Sequence, residues 1–133
     1  PERSIWFMGG RVGRKVDFSN AKIDSRPMHH IVFVTAPSLE VARELITGIL
    51  ERRLVACANL VPGIESHYWW EGEICNEAEV MMILKTTENR LAELETHVLE
   101  AHPYDTPEFV AWPIVRGSEK YLDWLTENTG PRE

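Results

Sequence analysis

A chain of 133 residues with 44% hydrophobic content is long enough for one domain with an ordinary core. No run approaches the roughly 18 apolar residues that a membrane-spanning helix needs, so we expect a soluble protein without a membrane span. The net charge of −7 is uneven, because residues 1–27 carry +3 and the rest −10. An acidic body argues against a nucleic-acid partner and favours cations or neutral ligands.

The N-terminal residues 1–28 mix glycines and basic side chains without a sustained hydrophobic period. We expect them to form a poorly ordered extension, with three origins open: a processed targeting segment, a cloning remnant, or sequence upstream of a start at Met28. The folded domain is expected over residues 29–128. Residues 129–133 are expected to be a frayed C-terminal tail.

The first half of the domain is predicted to contain a strand, a helix and a long hairpin. The apolar run 29–36 is typical of a central strand, and Ser38 is a good N-cap for a helix to about residue 50. The next strand begins near residue 54 and is apolar on both faces. Pro62-Gly63 marks a bulge in it, and Glu71-Gly72 supplies a two-residue reversal in which the glycine takes a positive φ.

Cys57 and Cys75, the two cysteines, are not expected to form a disulfide. A turn at residues 71–72 places Cys75 near Tyr68 and Cys57 near Thr86, many residues apart along the hairpin. Free cysteines suit a reducing compartment.

The second half of the domain continues with the return strand, a helix, a fourth strand and a short last helix. Thr86-Thr87 can cap the second helix, which must stop before Pro103. Pro113 in the strand 109–115 suggests an edge position or a bulge, and Gly117-Ser118 precedes the last helix. The order β-α-β-β-α-β followed by a helix predicts an α+β ferredoxin-like sandwich with a long hairpin between its second and third strands.

The sheet of this sandwich is expected to need a cover on its second face. Both main helices lie on one face, yet all four strands carry apolar residues on both faces. The cover we favour is another copy of the chain in a closed homo-oligomer. The alternative is that small residues such as Ala56, Ala58 and Ala111 tolerate water there.

One polar segment, residues 102–108, concentrates groups that carry chemistry. It holds His102, Tyr104, Asp105 and Glu108 between a helix end and a strand, and Pro103 and Pro107 within it stiffen it. Metal sites and acid-base sites both need side chains presented in fixed directions. His102 could equally contact the exposed carbonyls of the helix end.

Other side chains near this segment have two interpretations each. Lys85 ends an apolar strand, where it pairs with a carboxylate such as Glu108 or extends to solvent along its aliphatic stem. Tyr68, Trp69 and Trp70 at the hairpin tip line a pocket or join the tip to a neighbouring subunit. Zinc-ligand spacing and a nucleophile motif are absent from the sequence, which favours binding over catalysis, so we expect no enzyme.

Five ordered blocks of the chain closely resemble the CutA family, the divalent-cation tolerance proteins. They are Thr35-Ala36-Pro37, residues 53–64, Tyr68-Trp69-Trp70-Glu71-Gly72, residues 82–86 and His102-Pro103-Tyr104-Asp105-Thr106-Pro107-Glu108. The resemblance implies a cytoplasmic, ferredoxin-like homotrimer related in architecture to PII signalling proteins and linked to copper and other divalent ions. No enzymatic activity is established for that family. The inter-subunit cleft that the resemblance implies involves Tyr68, Trp70, Lys85, His102, Tyr104 and Glu108.

The chain departs from the copper-binding members of that family. Those members have a cysteine where this chain has Val34 and a histidine where it has Ala101, next to His102. A single imidazole is a poor site for copper, which prefers thiolate and imidazole together. We therefore expect no obligatory cofactor. Weak binding of Cu or Zn through His102 or carboxylates is the remaining metal hypothesis.

The leading functional hypothesis is a non-catalytic homotrimeric binding or regulatory protein associated with divalent metal (copper) tolerance. One alternative is a small-molecule enzyme that uses His102 and Glu108 as an acid-base pair. The other is a PII-like signalling trimer that docks a protein partner.

Overall fold

The computed structural model describes residues 4–7, 14–17 and 28–131. A two-stranded antiparallel sheet contains β1 (Ser4–Phe7) and β2 (Arg14–Asp17). The remaining elements are β3 (His29–Ala36), α1 (Leu39–Glu51), β4 (Cys57–Trp70), β5 (Glu73–Thr87), α2 (Glu88–Ala101), β6 (Val110–Pro113) and α3 (Glu119–Glu127).

The predicted N-terminal extension, residues 1–28, falls largely outside the described residues. Within it the structure describes the β1–β2 pair and Met28, whose carbonyl accepts from the backbone N–H of Glu88. Its predicted disorder stays a prediction.

The larger sheet has the strand order β4-β5-β3-β6, and every neighbouring pair is antiparallel. Together with α1 and α2 this gives the β-α-β-β-α-β order, so the predicted α+β ferredoxin-like fold is confirmed. β6 lies at one edge of the sheet, which explains why Pro113 is tolerated in it. Within the described part of the chain, no helix combines the length and apolarity that a bilayer crossing requires.

The hydrophobic core lies between the sheet and the pair α1 and α2. Ser38 caps α1 as predicted, because its Oγ accepts the backbone N–H of Val41 at 3.2 Å. Thr87 occupies the N-cap of α2 without a side-chain cap bond, whereas the Thr86 hydroxyl is buried and donates to the Leu54 carbonyl at 2.6 Å. The fully buried side chains of this core are Val32, Val34, Ala36, Ala42, Ile49, Met82, Leu84, Leu94 and Val98.

The hairpin of β4 and β5 extends beyond the rest of the sheet. β3 pairs with β5 only as far as Ala36 and Val80, so residues 64–79 project as a two-stranded segment, here called the ribbon. Its turn is the predicted one: Glu71 and Gly72 have φ of 49° and 80°, the positive values that a type I′ turn requires at both positions.

The predicted bulge at residues 62–63 is also present. Val61 pairs with Met81 but Ile64 with Glu79, so β4 carries one extra residue at this point. On the side of the bulge away from the turn, the register is shifted by one residue. Cys57 therefore lies opposite Lys85 rather than Thr86. Cys57 and Cys75 are both free, as predicted.

The frayed tail was expected over residues 129–133, of which 132–133 lie outside the described residues, but residues 129–130 are hydrogen-bonded to the rest of the chain. Arg53 follows α1 in the left-handed region, with φ of 55°. Its guanidinium donates to the carbonyls of Glu127 and Gly130, and its own carbonyl accepts the Gly130 N–H. These bonds hold the described end of the chain against the corner after α1. The sequence around Arg53 does not predict this contact, because the residue stands in a short run of charged residues.

The second sheet face is partly covered by the chain itself. α3 packs across one end of this face, where Thr126 contacts His29 and Thr87 contacts Thr129. Further along, Phe33 packs edge-on against Trp112 at 4.6 Å between ring centroids. Half-buried apolar residues remain on the face beyond α3: Ile31, Phe33, Met81 and Ile83.

Candidate functional site

His102 anchors the segment between α2 and β6, residues 102–109, here called the cover loop. It ends α2 as the C-cap, and its ring turns toward the end of β3. Nε2 donates to the Thr35 carbonyl at 2.7 Å, and Nδ1 accepts the backbone N–H of Tyr104 at 3.1 Å. The two bonds fix one neutral tautomer, and the side chain is 7% exposed. His102 therefore sets the position of the loop.

Tyr104 connects the cover loop to the ribbon. Its ring packs against His102 with 4.7 Å between centroids, and its hydroxyl donates to Glu79 Oε2 at 2.8 Å. Glu79 is 7% exposed, although it lies at the base of a ribbon whose other carboxylates are exposed. Burial and the Glu79 carboxylate raise the pKa of Tyr104, so the phenol stays protonated and remains a donor.

A pocket of about 670 Å³ lies between the ribbon and the cover loop. This volume is within the range of small-molecule sites. The pocket walls combine carboxylates with aromatic rings. Its lining residues are Thr35, Glu65, Ser66, His67, Tyr68, Trp70, Cys75, Glu77, Glu79, Tyr104, Asp105, Thr106 and Glu108.

The pocket is strongly acidic, since five of its lining residues are Asp or Glu and none is Lys or Arg. Burial and the nearby Glu79 carboxylate raise the pKa of Glu108. Burial and the Glu77 carboxylate raise the pKa of Tyr68 in the same way. His67 at the rim contacts Glu65 at 2.9 Å. The five carboxylates around this pocket crowd negative charge, which a cation would relieve.

Four of the six residues placed in the predicted cleft line this pocket: Tyr68, Trp70, Tyr104 and Glu108. His102 lies directly behind it. Lys85 does not line it: its Nζ donates to Asn59 Oδ1 at 3.1 Å and lies 5.7 Å from the centroid of the Tyr121 ring. The proposed pairing of Lys85 with Glu108 is therefore wrong within the chain, because Lys85 points to the sheet face that α3 covers.

The metal hypothesis for His102 gains no support from this geometry. Nε2 carries the proton that it donates to Thr35, and the Nδ1 lone pair accepts the Tyr104 N–H, so no ring lone pair is directed at an ion. Over residues 28–131, no three His, Cys, Asp or Glu side chains are grouped closely enough to hold a metal ion. Val34 is fully buried in the core and Ala101 has no ligand atom.

Sequence reasoning missed the central residue of the site, Glu79. The alternation along β5 contained a signal, because Cys75, Glu77 and Glu79 share a parity and so lie on one face of the ribbon. Its burial depends on Tyr104, which is distant in sequence, and no local pattern reports that contact.

A family profile described as "CutA1 divalent ion tolerance protein" matches residues 30–128. The chain belongs to this family. It is 47% identical over 103 residues to the Divalent-cation tolerance protein CutA of Thermus thermophilus, an alignment that spans 77% of this chain and 100% of the relative. The solved Thermus structure matches with a TM-score of 0.75 over the same shares of the two chains.

Two further matches are a longer relative and another solved structure. The chain is 48% identical over 99 residues to "Protein CutA 1, chloroplastic" of Oryza sativa, spanning 74% of this chain and 56% of the relative. The Archaeoglobus fulgidus structure, described as a periplasmic divalent cation tolerance protein, matches at 44% identity with a TM-score of 0.73, over 76% of this chain and 98% of the other.

Proposed function

We propose that this chain is a non-catalytic, homotrimeric binding or regulatory protein that contributes to divalent-cation tolerance. The observation that carries the proposal is the acidic pocket, whose lining has carboxylates and no lysine or arginine, in a chain of the CutA1 family. Relatives named for divalent-cation tolerance support the same role.

Self-association is supported by the surfaces that the single chain exposes. On the ribbon, Trp69 and Ile74 are 71% and 69% exposed and lie opposite each other. On the sheet, Trp112 at the edge is also exposed, beside the half-buried apolar residues that α3 does not reach. Burial of such apolar surface between copies of a chain stabilises their assembly.

Cation binding is proposed to be weak and to use carboxylates rather than His102. Hard oxygen ligands suit divalent ions, but a tight site needs several of them around one point. The described carboxylates are spread over the pocket walls instead. Copper in particular is disfavoured, because residues 34 and 101 supply neither the thiolate nor the second imidazole.

Catalysis and partner docking are the less favoured functions. An acid-base pair of His102 and Glu108 would need an imidazole free to exchange a proton with substrate, whereas both nitrogens of this ring hold the cover loop. The PII-like docking role has no particular contact that favours it.

We further propose a cytoplasmic, reducing location, which the free thiols of Cys57 and Cys75 support, and which cell fractionation with an antibody would test.

The tolerance role is tested by growth of a bacterium that lacks its own CutA gene and expresses this chain, across gradients of Zn²⁺ and Cu²⁺. The wild type and Glu95→Gln, a charge-matched control on the exposed face of α2, should raise the tolerated concentration. Glu79→Gln should not. Equal growth of all three strains and the vector control would overturn the proposal.

The assembly is tested separately by light scattering of the purified chain. Three copies of 15.3 kDa give about 46 kDa. A mass near that of one chain at micromolar concentration would refute the trimer.

A further inference from the structure

Among residues 28–131, the Glu79 carboxylate is nearly buried and has no countercharge. The side chain is 7% exposed, and Oε2 accepts the Tyr104 hydroxyl. Among residues 28–131, no lysine, arginine or histidine forms an ion pair with Glu79, and its Oε1 accepts no hydrogen bond. Buried charges in proteins are normally paired, and a phenol satisfies one lone pair without neutralising the charge.

Aromatic faces stand beside this carboxylate in the same pocket. Tyr68 and Trp70 extend from the ribbon and Tyr104 from the cover loop, and all three line the cavity. Aromatic rings attract cations through the negative charge of their faces, and Trp does so most strongly. A carboxylate and aromatic rings that line one pocket are a combination suited to a cation that has an apolar body.

The shape of the pocket argues against a bare metal ion as its best occupant. A cavity of about 670 Å³ is far larger than one ion and its ligands. The described carboxylates do not form a metal-ligand group. An organic cation can reach Glu79 with its charged end and fill the remaining volume against the rings.

We propose that this pocket binds a small organic cation bearing a guanidinium or primary ammonium group, which donates to Glu79 and packs against Trp70 and Tyr68. This inference rests on the proposed binding role and names a ligand class for the same pocket. A guanidinium provides parallel N–H donors that match a carboxylate with two free lone-pair directions.

The test is calorimetric titration of n-butylguanidinium into the purified full chain, beside N-butylurea, its neutral isostere. We expect one n-butylguanidinium per chain and at least tenfold weaker binding of N-butylurea, because a charge-assisted hydrogen bond is replaced by a neutral one. Glu79→Gln should weaken n-butylguanidinium about tenfold or more, while Glu95→Gln should bind like the wild type.

Two further arms keep the result interpretable. Glu79→Gln retains an acceptor for Tyr104, and if it still fails to fold, Trp70→Leu tests the aromatic wall independently and should also weaken binding severalfold. Equal affinities for the two isosteres, or no binding of either by the wild type, would overturn the inference. The second result is the one expected if a cationic side chain of a neighbouring copy fills the pocket.

A separate Zn²⁺ titration distinguishes this inference from the proposed function. Zn²⁺ binding without n-butylguanidinium binding refutes the organic-cation inference and leaves the tolerance role standing. The opposite result refutes the metal role and supports this inference.

Discussion

His102→Ala tests whether this histidine positions the cover loop. The change removes the 2.7 Å bond to Thr35, the 3.1 Å bond from Tyr104 and the packing of the two rings. Each hydrogen bond contributes about 1 kcal/mol net, and the lost packing of a buried ring adds a comparable amount. We expect the free energy of unfolding to fall by about 2–4 kcal/mol.

The assay is urea unfolding followed by tryptophan fluorescence, at one fixed protein concentration because the proposed assembly would contribute to stability. His97→Ala is the control, since His97 is half-buried on α2 and forms no hydrogen bond within the described chain; it should cost less than about 1 kcal/mol. His102→Gln should recover part of the loss, because its amide can still donate toward Thr35. The reasoning fails if His102→Ala unfolds like the wild type while its Zn²⁺ stoichiometry drops, since that pattern is the signature of a metal ligand.

Three other predictions concern the turn, the core and the pH dependence. Glu71→Gly should stabilise the hairpin by about 0.5–1 kcal/mol in thermal unfolding, because residue 71 has a positive φ of 49°; a loss of stability would contradict this. Thr86→Val should cost about 1–3 kcal/mol by urea unfolding, since it strips the Leu54 carbonyl of a buried donor, and an unchanged midpoint would show that this bond is replaceable. Burial and the Glu79 carboxylate raise the pKa of Glu108 in the folded chain. Protonated Glu108 therefore contributes stability that is fully present below the unfolded pKa, near 4.5, and is lost as the pH rises through the folded pKa. Glu108→Gln should therefore gain stability relative to the wild type between acidic and neutral pH, and a constant difference across that range would count against the shift.

Much of the fold could be predicted because its signals are local. The Ser38 cap, the bulge at residues 62–63 and the turn at Glu71-Gly72 each require particular residue types at one position, and each is confirmed. The predicted pairing of β4 with β5 is wrong by one residue on the side of the bulge away from the turn, because the extra residue shifts every pair there.

The candidate site could be predicted only in part because its central contacts are distant in sequence. The cover loop was recognised from its composition, and Tyr104 and Glu108 line the pocket. The partners of Lys85 and of the buried Glu79 depend on which side chains the fold brings together. Arg53 is the same kind of case, because its hydrogen bonds reach across to the C-terminal end.

The central claim is that the Glu79 carboxylate, which has no countercharge among residues 28–131, makes the acidic pocket a cation site. Calorimetric titration of Zn²⁺ at neutral pH into the wild type, Glu79→Gln and Glu95→Gln tests this claim most directly. The account predicts measurable binding by the wild type and Glu95→Gln, and about tenfold weaker binding by Glu79→Gln. Superimposable isotherms for the wild type and Glu79→Gln would contradict it.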